Sequence, residues 1–249
     1  LTTMDEMLLG KFIESPPFNI ETTLNAATPE TYRRITGTGL FGRQVEAIKK
    51  LTENKVKVRV KTQVTKENVH EIDEIKELVE GMGKDFRPST LLNARLNHDT
   101  DPCMLRLDPK EAVEVNRGYG FYDEETQQPG EKLDLRDLVG RPESDKLFTC
   151  AVGEHSFIIS PKGEMFLCTY LREPDYDLSH EKATVKEGFM LLSREVQGRA
   201  FRTHSKCRTC KYRLLCKWCP ARAMLEKDSL EEPIGYYCEL TRELVRSLS

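Results

Sequence analysis

The sequence predicts an α/β protein: about three strand–helix units with parallel strands, then a small cysteine-rich α+β unit. Three observations predict it. Strand and helix periodicities alternate from Met4 to about Asn93. A polar connector with one well-marked helix follows, and seven of the eight cysteines lie in the last hundred of the 249 residues. The expected organisation is residues 1–100 for the strand–helix part, 101–149 for the connector and 150–249 for the cysteine-rich part.

Phe18 to Leu24 is the first strand candidate, after Pro16-Pro17. Thr28-Pro29-Glu30 starts a short helix, with Thr as N-cap and Pro at the first helical position. Phe41, Val45, Ile48 and Leu51 share one face of the next helix. Val56, Val58, Val60, Thr62 and Val64 alternate with Lys55, Lys57, Arg59, Lys61 and Gln63, which is strand periodicity. Val69, Ile72, Ile75, Val79 and Met82 recur at helical spacing, and Gly83 stops that helix. Phe86 to Asn93 is a third strand candidate. Such alternation means parallel strands with crossover helices, hence an open sheet or part of a barrel, since three strands cannot close one.

In the connector, Asp108, Pro109 and Glu111 mark a helix start, and Tyr122 to Gly130 is expected to be a loose loop. Ser156 to Leu167 reads as a β-hairpin turning at Gly163. Thr184 to Glu187 is a capping box that opens a helix to about Phe201.

Composition narrows the function classes. Hydrophobic residues make up 38% and charged residues 32%, with a net charge of −3. No run approaches the roughly 18 apolar residues of a membrane span, so no membrane partner is expected. With no export signal, the eight cysteines are expected as thiols held for metal in a reducing cytoplasm. Leu1 in place of an initiator Met means either an unusual start codon read literally or a chain that begins inside a larger protein.

The cysteine spacing carries the chemistry. Cys150 and Cys168 flank the Gly163 turn, which brings them within reach of one site. Cys207-x2-Cys210-x5-Cys216-x2-Cys219 follows, and Cys238 stands beyond it. Seven thiolates exceed the four that one tetrahedral zinc takes. Only five residues separate the two CxxC steps, where a zinc ribbon has about 15–20. That tightness suits a loop around a cuboidal iron–sulfur cluster. From Arg199 to Arg222 there are eight Lys or Arg and no Asp or Glu, which suits a centre left negative by thiolates. Only Tyr212 and Trp218 interleave as stacking groups there, so nucleic acid is not expected as a partner.

This pattern resembles the SPASM domain of radical SAM enzymes: Cys150-x12-Gly163-x4-Cys168, then Cys207, Cys210 and Cys216, then Cys238. It departs in having two residues, not three, between Cys216 and Cys219. Upstream, Glu21 to Tyr32 resembles the fourth strand and turn of the radical SAM barrel, Lys61 to Asn68 the fifth, and Phe86 to Arg95 the sixth. The wording is closest to enzymes that modify ribosomally made peptides.

The resemblance implies a partial (β/α) radical SAM barrel and a SPASM domain with two auxiliary 4Fe–4S clusters. By position, Cys207, Cys210, Cys216 and Cys238 hold the outer cluster, and Cys150, Cys168 and Cys219 the inner one. Cys103 and an open iron site are the alternatives for the fourth inner position. Thr23 and Lys61 would lie near the carboxyl ends of strands, where the family binds S-adenosylmethionine. Thr169 stands where sulfatase-maturing relatives carry a proton-accepting Asp, which argues against that substrate. The implied partners are a peptide or protein substrate and an electron donor such as a flavodoxin or ferredoxin.

The C-x3-C-x2-C motif that cleaves S-adenosylmethionine is not among these residues, whose first cysteine is Cys103. The expectation is the carboxyl-terminal part of a peptide maturase. The alternative is a non-catalytic iron–sulfur or zinc module for electron transfer or scaffolding.

Overall fold

The structure is a computed structural model that describes residues 1–120, 134–140 and 144–248. The loop expected over Tyr122 to Gly130 lies outside these residues. The chain divides into two compact units, one comprising residues 1–92 with the segment from 104, the other comprising 93–103 with the carboxyl-terminal half.

The first unit is built on three parallel strands, β1 (Ile20–Thr23), β2 (Val58–Gln63) and β3 (Phe86–Ser89), in that order. Helices α1 (Glu6–Glu14), α2 (Pro29–Thr36), α3 (Phe41–Glu53), α4 (Ile72–Gly81) and α5 (Pro109–Gly118) complete it. The Thr28 hydroxyl accepts the Thr31 N–H and Pro29 sits in the first turn, as the sequence predicts. Along β2, Val58, Val60 and Thr62 are buried while Arg59 and Lys61 are exposed. The buried side meets Leu24, Ile48, Leu51, Ile75 and Val79 in one apolar core. Side chains of a strand alternate between faces, so the opposite face carries Glu21, Thr23, Arg59, Lys61, Gln63 and Arg87.

The third strand stops at Ser89, short of the expected Asn93. Backbone groups beyond it find other partners: Arg106 Nε donates to the Leu92 carbonyl at 2.8 Å. The Thr90 hydroxyl donates to buried Asn116 on α5 at 3.0 Å, so the connector helix belongs to the first unit.

In the second unit, β4 (Ile158–Ile159), β5 (Glu164–Phe166) and β6 (Tyr176–Asp177) form a small antiparallel sheet. The hairpin turns at Gly163, whose φ of +85° only glycine adopts readily. Helices α6 (Val185–Gln197), α7 (Pro220–Lys227) and α8 (Gly235–Ser247) complete the unit, with α6 packed on β5 and β6. The Thr184 hydroxyl caps α6 by accepting the Glu187 N–H. This helix ends at Gln197 rather than near Phe201, because the following backbone pairs with residues 145–147: Leu147 N–H donates to Arg199 O at 2.9 Å and Phe201 N–H to Asp145 O at 3.0 Å. No helix among the described residues is long and apolar enough to cross a membrane.

Candidate metal centre and strand-end face

The outer cysteine group is assembled from two segments. Short turns from Lys206 to Cys216 carry Cys207, Cys210 and Cys216, and the first turn of α8 supplies Cys238. These four cysteines line one cavity of about 230 Å³, together with Arg213, Trp218 and Arg242. Their thiols lie close enough to feel one another's charge. Burial, then Cys238 and Cys216, pushes the Cys207 thiol up to about 12. Burial likewise pushes Cys216 and Cys238 up. Cys216 Sγ contacts the Tyr237 carbonyl at 3.7 Å and accepts the Trp218 N–H at 3.5 Å. Trp218 stacks on Phe201 at 6.1 Å and donates its indole N–H to Glu232 O at 2.9 Å, closing one wall.

Cys219 is not among the residues that line this cavity. It caps α7, its sulfur accepting the Arg222 N–H at 3.4 Å. Burial raises its pKa, the Arg222 charge opposes the rise, and the charges of Cys168 and Cys150 add to it. Cys150, Cys168 and Cys219 therefore form a second neighbourhood. Cys150 is exposed, and Cys168 follows β5. The Arg222 guanidinium lies over the rings of Tyr170 at 5.9 Å and Tyr237 at 5.7 Å. Asn93 links those same tyrosines, donating to Tyr170 Oη at 3.1 Å and accepting from Tyr237 Oη at 3.3 Å.

All eight cysteines are free thiols. Among the described residues, no three His, Cys, Asp or Glu side chains converge on the position of a single metal ion. The outer four surround a cavity rather than a point. Thiolate donors and buried walls fit a cluster with volume of its own, and nearby cations offset its charge. Cys103 lies half-buried in the turn Asp101–Leu105.

In the first unit, Thr23 ends β1 and pairs in register with Lys61 on β2. Both side chains are exposed on the polar face. Glu21 bridges Lys61 at 2.5 Å and Arg59 at 3.0 Å, and hydrogen bonds from Lys61, then Arg59, hold its carboxyl below the usual range. Two polar side chains fix the loops at the strand ends. Asn68 donates to Asn25 O at 2.8 Å and Gln63 O at 2.9 Å, and accepts the Thr65 N–H at 2.8 Å. Glu71 accepts the Ala27 N–H at 2.9 Å and the Thr28 hydroxyl at 2.8 Å, as well as the Thr31 hydroxyl.

With this geometry in view, comparison with solved structures is informative. The native anSMEcpe with bound AdoMet, a radical SAM/SPASM maturase, matches with a TM-score of 0.64 and 18% identity, over 98% of this chain and 70% of that one. Its complex with AdoMet and a peptide gives a TM-score of 0.65. The chain shares its fold with these solved structures, and its parallel strands and helices are those of a partial radical SAM fold. SuiB of Streptococcus suis bound to S-adenosylmethionine, a radical SAM peptide-modifying enzyme, matches with a TM-score of 0.60 and 14% identity, over 92% of this chain and 55% of that one. No protein-family model and no curated protein matches the sequence.

Sequence reading took the basic run from Arg199 to Arg222 as charge suited to a negative thiolate centre, but it did not single out Arg213 or Arg222 within that run, nor name helices α7 and α8. Helix α7 announces itself through Pro220 immediately after Cys219, and α8 through Tyr237, Leu240, Thr241 and Leu244 at helical spacing.

Proposed function

We propose that this chain is the carboxyl-terminal part of a radical SAM maturase acting on a ribosomally made peptide or protein, and that its cysteine-rich unit holds two auxiliary 4Fe–4S clusters. The observation that carries the reading is the cavity lined by Cys207, Cys210, Cys216 and Cys238 in a chain with the maturase fold. The separate neighbourhood of Cys150, Cys168 and Cys219 supports the second cluster. A peptide substrate is supported by the peptide bound to anSMEcpe, and S-adenosylmethionine by the ligands of anSMEcpe and SuiB. Thr169, exposed beside Cys168, favours a substrate class other than sulfatases.

The chain's residues divide the work. Cys207, Cys210, Cys216 and Cys238 hold the outer cluster as thiolates, and Cys150, Cys168 and Cys219 the inner one. Thr23 and Lys61 contact S-adenosylmethionine at the strand ends, with Glu21 fixing the Lys61 ammonium. Asn68 and Glu71 hold the loops that frame this face. S-adenosylmethionine held at the strand ends would supply radical chemistry on the peptide, and clusters held by the two cysteine groups would supply electron transfer or a site for a substrate sulfur. The assembly acts in the cytoplasm with a flavodoxin or ferredoxin as electron donor.

Metal analysis tests this directly. Anaerobic reconstitution with iron and sulfide is expected to load about eight of each per chain, with thiolate-to-iron absorption. Zinc bound without sulfide would overturn the reading in favour of a structural module.

A further inference from the structure

Arg213 lies between Cys210 and Cys216 and is only 5% exposed. Its backbone N–H donates to Cys210 O at 3.1 Å, which fixes it in the cysteine turn. The guanidinium covers the Phe201 ring at 4.6 Å. One nitrogen, Nη2, is spent on the carbonyls of Lys146 and Leu147, the latter at 3.1 Å. The other two, Nε and Nη1, are buried and have no hydrogen-bond partner. Nor does a carboxylate pair with this cation among the described residues. Asp145, close enough to be felt, is gripped by Arg208 at 2.9 and 2.6 Å.

A buried guanidinium with idle donors is costly unless an anion faces it. Arg213 lines the same cavity as Cys207, Cys210, Cys216 and Cys238. Supporting the 146–147 backbone explains Nη2 and leaves the two idle donors unexplained. Resting on the iron–sulfur reading above, we infer that Arg213 is a positioning residue for the outer cluster: Nε–H and Nη1–H serve its sulfurs and raise its reduction potential. Each added electron makes a thiolate-bound centre more negative, and a fixed cation with donors aimed at sulfur favours that form.

The test uses the full chain, reconstituted anaerobically with ferrous iron and sulfide and titrated under electron paramagnetic resonance. The outer signal is assigned by its loss in C238A. In R213M, which keeps an apolar stem over Phe201, the outer midpoint is expected to fall by at least the tenfold change in equilibrium constant that corresponds to about 59 mV for one electron. In R213K, which keeps the charge without the fork, the fall is expected to be smaller and in the same direction. An unchanged midpoint in R213M at full iron loading overturns the inference and leaves the cluster reading intact. If R213M does not retain iron, R213K decides by the same midpoint: a fall supports the role, no change overturns it. A wild-type chain that binds neither iron nor sulfide overturns both.

Discussion

In the first unit, three parallel strands of 4, 6 and 4 residues stack Val58 and Val60 against Leu24, Ile48, Leu51, Ile75 and Val79. In the second, the strands have 2, 3 and 2 residues, and long stretches between elements run as turns around cysteines. The first unit draws its stability from regular hydrogen bonding over a continuous apolar core. The second buries an apolar core as well, with Leu192, Val196, Phe201, Leu215, Tyr237 and Leu240 in it, but sets buried Cys207 and Arg213 beside these side chains. The difference is one of organisation: a regular sheet orders the first unit, whereas turns carrying cysteines order much of the second, and under the cluster reading proposed above metal binding would add to the folding of that unit.

Metal removal probes that difference most strongly. Stripping iron from the holoprotein with a chelator is expected to abolish slow amide exchange around Cys207 to Cys219 while α3 and α4 stay protected. Unchanged exchange in both units would break the comparison. Second, Ile48→Ala, at a fully buried position of the first core, should cost about 2–5 kcal/mol and leave iron content unaltered. Thermal melting and iron analysis of one sample check both halves.

Glu71→Gln comes next. Burial raises the Glu71 pKa, but the Thr31 and Thr28 hydroxyls and the Ala27 N–H outweigh it and hold the carboxyl below its ordinary value. A depressed carboxylate contributes stability above its unfolded pKa and loses it as pH falls through the folded one. The substitution should therefore cost about 1–3 kcal/mol at neutral pH. The gap to wild type should narrow as pH drops below about 4.3; denaturant melts at two pH values would read it. The smallest effect belongs to Thr184→Ala, which removes the α6 cap and should cost about 1 kcal/mol in the holoprotein.

The same contrast governs what the chain revealed before its structure was known. The first unit was readable because periodicity and core are one thing there: the alternation of Val58, Val60 and Thr62 with Arg59 and Lys61 is the sheet's two faces. Its longest overreach, the strand carried on to Asn93, arose because side chains such as Arg106 satisfy the backbone beyond Ser89, and no local pattern announces that. In the second unit, spacing identified the cysteines and the Gly163 turn. It gave no sign that Phe201 leaves α6 to stack on Trp218, or that Arg213 is buried while Lys211 two residues earlier reads the same. Burial of a cation depends on what the distant chain brings to it, here the carbonyls of Lys146 and Leu147.

Trp218 is the only tryptophan in the chain, and it stands in the wall of the outer cysteine cavity. The protein thereby contains its own optical gauge. If iron–sulfur clusters bind as proposed, a chromophore absorbing in the near ultraviolet beside the indole would drain its excited state, so emission is expected to be dim in the loaded protein and to brighten as iron is lost. Because no other indole in this chain contributes, that signal reads the surroundings of Trp218, where both cysteine groups meet at Cys216 and Cys219.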